Sequence, residues 1–287
     1  MVWCAWQWCG NRSVRWLGRL IFWGVVVEVE VPLSGGDVTE GVVRVGDTVR
    51  RPCGAHSSAV HGLLRHLERV GFDGAPRVLG VDGKGREVLS WVAGEAPGRP
   101  LPRYAVTREA LVGVALLLRR YHEAVASYEV PEDARWDDQA SRLDGPPELV
   151  GHCDVTPENV VFRGGRPVGL IDFDLARPTT RMYDVVTTLR HWAPIADPAD
   201  RDWRLCAVDV GERLRVFCDA YGLDRDRRRE VLPAARLRFE RSYEAMRFRA
   251  EQGGAWARLW HKGAGHRIRR AQDWLERNWD ELDARLA

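Results

Sequence analysis

Three oxygen-bearing side chains, Asp154, Asn159 and Asp172, stand five and thirteen residues apart along the chain. Between the last two lie the apolar runs Val160-Val-Phe162 and Val168-Gly-Leu-Ile171, separated by Arg163-Gly-Gly-Arg166, a pattern that predicts a β-hairpin. A hairpin returns on itself, so Asn159 and Asp172 meet at its open end, where an amide oxygen and a carboxylate can share one hard cation such as magnesium. Asp154 stays on the loop that leads in, free to face a substrate hydroxyl. An Asx-rich turn between strands is the plain alternative. With only 3 asparagines among 287 residues, however, finding His152, Asp154, Asn159 and Asp172 at these offsets by accident is rare.

The rest of the chain is ordered around this loop. Glu28 to Val31 alternates, and Leu33-Ser-Gly-Gly-Asp-Val-Thr-Glu-Gly41 reads as a glycine-containing turn. Val42 to Val45 and Thr48 to Arg51 read as two short strands across Gly46-Asp47. Apolar residues at 60, 63, 64, 67 and 70 predict a helix stopped by Gly71. A second hairpin follows, Arg77 to Val81 with Glu87 to Val92. The stretch Gly94 to Pro102, rich in glycine and proline, predicts a link between lobes. A long apolar helix, Thr107 to Val125 with Thr107 as its cap, opens a second part whose pattern is helical from about Tyr183, with breaks near Pro194 to Pro198, at Gly222 and at Gly253-Gly254.

Composition narrows the function. The 43 Lys+Arg and 41 Asp+Glu leave a formal net charge of +2, too little for the global field that gathers nucleic acid or anionic lipid. Arg225-Asp-Arg-Arg-Arg229 is a short basic run, and its bland reading is a solvated helix boundary; we expect neither a nucleic-acid nor a membrane partner. Six cysteines form no metal-spaced set and no dense disulfide framework, which points to a reducing cytoplasm. Only Lys84 and Lys262 are lysines, so lysine-dependent chemistry has two candidates.

Five of the 13 tryptophans fall in the first 23 residues, a segment with three arginines and no acid. The apolar run Leu20 to Val27 is too short to span a bilayer and lacks a small-residue cleavage site. Residues 1–26 are therefore expected to be an extension outside the domain, one reading of which is upstream sequence before a natural start near Val27. Residues 27–93 then form an N-terminal lobe and 94–287 a C-terminal lobe.

The segment Gly151 to Ala176 resembles the catalytic and metal-binding loops of protein-kinase-like enzymes, in particular the aminoglycoside phosphotransferase type. The resemblance implies an α+β, bilobal fold, with a small antiparallel sheet in the N-lobe and a mostly helical C-lobe. It implies ATP and Mg2+ as cofactors and a hydroxyl of a small molecule as acceptor. Carried over residue by residue, Asp154 is the catalytic base and Asn159 and Asp172 are metal ligands. His152 braces the loop, Asp174 either assists the metal or caps the next turn, and Asp184 supports the loop from a helix start. Gly35, Gly36 and Thr39 resemble the turn over the ATP phosphates, and Ser90 to Val92 the strand whose backbone pairs with adenine.

One departure stands out. The family's third strand carries a lysine paired with a helix glutamate, but this chain reads Thr48-Val-Arg50-Arg51, its helix offers Val60 and His61 near the matching place, and Glu68 comes two turns later. Arg50 or Arg51 is expected to take the phosphate contact, since arginine binds phosphate bidentately with a longer reach. The competing reading is a nucleotide-binding regulatory module that lost the lysine and turnover together. Residues 200–287, with 20 Lys+Arg and 16 Asp+Glu, are not acidic overall, which sets this chain apart from enzymes whose acceptor sites are lined with acids for polycationic aminoglycosides.

Overall fold

A computed structural model of the chain describes residues 19–22, 25–33, 41–137 and 146–287. Strands β1 (Arg19–Phe22) and β2 (Val25–Glu28) pair antiparallel with each other, and β2 spans the expected boundary at residue 26. The N-lobe sheet follows, built from β3 (Val31–Pro32), β4 (Val43–Val45), β5 (Thr48–Pro52), β6 (Val78–Val81) and β7 (Arg86–Ser90). Its spatial order is β3-β4-β5-β7-β6, with every pair antiparallel. The crossing of β7 to lie beside β5 sets Arg51 directly opposite Glu87. Helix α1 (Ser57–Arg69) lies between these strands in sequence and buries Leu63, Leu64 and Leu67 on one stripe, as its apolar spacing predicts.

The link Gly94 to Pro102 is fastened to the C-lobe. Glu95 and Phe162 exchange backbone hydrogen bonds of 2.9 and 2.8 Å, and the Arg163 guanidinium donates to the Ala93 carbonyl at 2.9 Å. This approach leaves no room beside Gly94, where φ is +147°. A Cβ there would collide with the Phe162 carbonyl oxygen and stand 2.5 Å from Val161 Cγ1.

The C-lobe is organised on α2 (Arg108–Val125), capped by Thr107, whose hydroxyl accepts from the Ala110 N–H at 3.1 Å. Strands β8 (Leu149–Gly151), β9 (Val160–Arg163), β10 (Arg166–Leu170) and β11 (Arg177–Thr179) form two small antiparallel pairs, β8 with β11 and β9 with β10. Helices α3 (Arg181–Trp192), α4 (Val210–Tyr221), α5 (Arg225–Arg229), α6 (Val231–Glu251), α7 (Gly254–His261), α8 (Ala264–Arg277) and α9 (Trp279–Leu286) complete the lobe. The core around α2 takes in Leu118, Tyr121, Phe173, Leu189, Phe217 and Phe239, each fully buried and each worth about 1.5–3 kcal/mol of apolar transfer. In α5, Arg227, Arg228 and Arg229 pair with Glu230, Asp219 and Asp226. Among the described residues no helix is long and apolar enough to cross a membrane.

Gly94→Ala should lower stability by about 2 kcal/mol or more, because a left-handed backbone and a steric collision are forced together. Urea unfolding monitored by circular dichroism measures it, and an unchanged midpoint would remove this contact from the account.

Candidate active site

The loop between β8 and β9 has few backbone partners of its own, and α3 supplies them. Asp184, in the first turn of α3, is fully buried and accepts from the His152 N–H at 2.7 Å and the Cys153 N–H at 2.8 Å. His122 Nε2 donates to the same carboxylate at 3.0 Å, and the Tyr221 hydroxyl donates to His122 Nδ1 at 2.6 Å. Burial alone would raise the Asp184 carboxyl, but the His122 hydrogen bond and these amides outweigh it and hold the group below its ordinary range. At the far end of α3, Trp192 Nε1 donates to the Val155 carbonyl at 2.8 Å. The loop is thus pinned on both sides of Asp154.

Gly151 fits this arrangement, since a Cβ would stand 2.9 Å from Asp184 Oδ2 and 2.5 Å from Thr179 Cγ2. Cys153 adopts φ +60°, a left-handed conformation uncommon outside glycine, and the clamped N–H groups of His152 and of Cys153 itself hold it there. His152 is buried and neutral, its proton affinity lowered by desolvation. Its Nε2–H donates to the Ile171 carbonyl at 3.1 Å, and its ring lies 4.5 Å from that of Phe173. The brace therefore ties the Asp154 loop to the residue just before Asp172.

The hairpin brings the three predicted groups together. The Ile171 N–H donates to the Asn159 carbonyl at 2.9 Å, closing β9 on β10. The Asn159 amide nitrogen donates to Asp154 Oδ2 at 2.8 Å and to the Asp154 carbonyl at 3.0 Å. Those bonds occupy the nitrogen and leave the Asn159 amide oxygen as a ligand atom. Asp172, at φ +64°, contributes a partly exposed carboxylate. An amide oxygen and a carboxylate oxygen fit a hard cation that keeps several waters, as magnesium does. Burial and then the Asp172 charge push the Asp154 carboxyl up to about 7.

Opposite them, the N-lobe presents Arg51 rather than Arg50. Arg51 Nε donates to Glu87 Oε1 at 2.6 Å, its Nη1 to Asp172 Oδ1 at 3.1 Å, and its Nη2 to Asp174. Desolvation opposes its charge, but Asp174 and Asp172 more than compensate and raise it above the ordinary arginine value. Arg50 instead lies 3.9 Å from Asp82. Asp174 pairs with Arg51 and lies 3.6 Å from His56; burial would raise its carboxyl, but His56 and Arg51 overcome that and hold it down at about 2.

Sequence reasoning missed Glu87 and His56, and placed His61 near the site without its partner. Glu87 is only 1% exposed and also binds His61 Nε2, so the acid paired with Arg51 comes from the adjacent strand while the helix supplies a histidine. Glu68 is remote, 3.4 Å from Arg77. The available signal was a charged residue in β7 on the same face as buried Leu89. Ser90 ends β7, where its hydroxyl accepts from the Arg77 N–H at 2.8 Å; Val92 packs near Gly169. Lys84 pairs with Glu30 at 2.8 Å, far from any such role. Gly35, Gly36 and Thr39 lie outside the described residues.

A loop clamped by a buried aspartate, followed by a hairpin that returns a second carboxylate to an asparagine, defines a protein-kinase-like phosphotransferase fold. The chain belongs to the phosphotransferase enzyme family typified by aminoglycoside phosphotransferases, whose family model matches residues 123–231. It is 39% identical over 204 residues to a trifolitoxin immunity protein of Rhizobium leguminosarum bv. trifolii, a match covering 69% of this chain and 76% of that protein. It is 30% identical over 172 residues to a homoserine kinase of Phenylobacterium zucineum, covering 47% of this chain and about half, 53%, of that kinase. A crystal structure of choline kinase from Cryptosporidium parvum shares the fold, with a TM-score of 0.59 at 12% identity over 91% of this chain and 92% of that one.

Removing the Asp184 carboxylate should orphan two buried amides and a histidine, so Asp184→Ala should cost about 3–5 kcal/mol in denaturant unfolding. Asp184→Asn, which retains one acceptor, should cost less; equal stabilities for wild type and Asp184→Ala would show that the clamp does not hold the loop.

Proposed function

We propose that this chain transfers the γ-phosphoryl group of ATP, with Mg2+, to a hydroxyl of a small molecule. The observation that carries the proposal is the shared anchoring of Asp154, Asn159 and Asp172 by one loop and one hairpin, closed by the Ile171 to Asn159 bond of 2.9 Å. Residues 27–93 act as the nucleotide lobe and 94–287 as the lobe carrying the catalytic loop.

Asn159 and Asp172 would hold the metal, which would supply neutralisation of charge on the phosphate oxygens. Asp154 keeps Oδ2 on the Asn159 amide and turns its other oxygen to the acceptor hydroxyl. The acceptor oxygen forms a bond to the γ-phosphorus, the bond from that phosphorus to the β,γ-bridging oxygen breaks, and ADP leaves with that electron pair. The hydroxyl proton passes to Asp154. Arg51, kept charged and oriented by Glu87, exchanges its contacts with Asp172 and Asp174 for nucleotide phosphate oxygens. The backbone of Ser90 to Val92 receives the base.

A second reading narrows the purpose of the same reaction. The relative at 39% identity is named an immunity protein, so the acceptor is a toxic compound that phosphorylation inactivates. Survival of cells expressing the chain, compared with cells expressing Asp154→Asn, tests that reading.

ATP consumption across a panel of hydroxyl acceptors should reveal Mg2+-dependent turnover, and Asp154→Asn should reduce kcat by about 10²–10⁴-fold with nucleotide affinity nearly intact. Mg2+-dependent ATP binding without turnover of any acceptor would favour a regulatory module instead. Glu87→Ala should raise the nucleotide KM about tenfold or more, because Arg51 loses the carboxylate that orients its Nε edge. An unchanged KM would place the phosphate contact elsewhere.

A further inference from the structure

Among the described residues, two arginines packed on α3, the helix that pins the Asp154 loop, are left without a carboxylate partner of their own. Arg238 on α6 reaches Thr187 Oγ1 on α3 through Nε at 3.3 Å, and its Nη1 is shut off from solvent with no acceptor. Arg190, one turn further along α3, shares the Phe239 ring with it: the two guanidinium carbons lie 5.2 and 5.9 Å from the ring centroid. Both arginines are half-buried, and among the described residues neither forms an ion pair with a carboxylate. The carboxylate acting on Arg190 is Asp200, but that group is held by Arg270 at 2.6 and 2.9 Å.

This cluster is built on the same helix that holds the catalytic loop. Asp184 and Trp192 pin the loop along α3, and Thr187 lies between them. The Arg238 charge favours ionised Asp154, against burial and the Asp172 charge, which raise its carboxyl. Burial and then the Arg238 charge push Arg190 down to about 9, and burial with Arg190 and Arg238 carries His191 well below its ordinary value. Like charges gathered in a half-buried wall cost free energy that a bound anion returns.

We propose that the acceptor carries an anionic group, a carboxylate or a phosphate, which seats on Arg238 and Arg190 while its hydroxyl meets Asp154. The inference rests on the phosphotransferase reading and narrows its acceptor to hydroxy acids or hydroxyalkyl phosphates. Guanidinium groups suit either anion through paired N–H bonds. The same wall repels a polycationic acceptor, which needs acids where this chain has Arg190 and Arg238.

Matched probes separate the two anions and test the claim: γ-hydroxybutyrate against its amide, glycerol phosphate against glycerol, and kanamycin as a polycation. With the full chain, ATP and Mg2+, kcat/KM should favour at least one anionic probe over its neutral mate by about tenfold or more. Preference within the first pair alone identifies a carboxylate site, and within the second alone a phosphate site. Arg238→Gln should erase most of that preference through KM, and Arg238→Lys should retain part of it; nucleotide affinity measured on each variant reports that the fold persists. Calorimetric titration of the anionic probes into Asp154→Asn with ADP bound should show the same preference without turnover. Binding that depends on Arg238, seen with no turnover of any acceptor, would support the anion site while overturning the kinase reading. Equal or better use of the neutral probes or kanamycin, or a preference untouched by Arg238→Gln, would overturn the anion site.

Discussion

Everything at the site depends on one buried carboxylate. Asp184 sits where an uncompensated charge would be costly, and it is tolerated because two backbone amides and a histidine converge on it. In return it fixes the backbone of His152 and Cys153 in a conformation that the loop would not hold by local preference. Asp154 then projects from a rigid support, and the hydrogen bond from Asn159 fixes one of its oxygens. The His152 bond to the Ile171 carbonyl carries the same order across to Asp172. Positioning of this kind accounts for much of the rate in phosphoryl transfer, where the protein makes no covalent bond of its own.

The N-lobe solves a different electrostatic problem. With arginine in place of the family's lysine on β5, the longer planar side chain needs partners along its whole edge. Glu87 takes Nε, and Asp172 and Asp174 take the terminal nitrogens. Because Glu87 comes from the neighbouring strand, the helix position is released from carrying an acid, and His61 occupies it against the same carboxylate. This ties the lobes together through Arg51, from β5 across to the turn after β10.

Much of this was legible in the sequence because it is local. The hairpins, the α1 stripe, the Thr107 cap and the spacing of Asp154, Asn159 and Asp172 all follow from residues close in the chain. Glu87 was not legible, since its meeting with Arg51 requires β7 to cross beside β5 over an intervening helix and strand. Asp174 was left between two roles because its partners, Arg51 and His56, lie more than a hundred residues upstream. Of the cationic wall, Arg238 was visible only within the net charge over residues 200–287 and Arg190 not at all; which arginines lack acids depends on how α3 meets α6. Sequence could show that the region is not acidic, but packing shows where the excess charge falls.

The central claim is that Asp154 and its hairpin partners carry a phosphoryl group from ATP to an acceptor hydroxyl. Phosphorus NMR of the full chain with ATP, Mg2+ and a hydroxyl acceptor tests it most directly, because it observes the bond made as well as the bond broken. The expected result is a new phosphomonoester resonance growing in step with ADP and abolished in Asp154→Asn. Conversion of ATP to ADP with only inorganic phosphate formed for every acceptor, or a phosphomonoester that forms equally fast without Asp154, would contradict it.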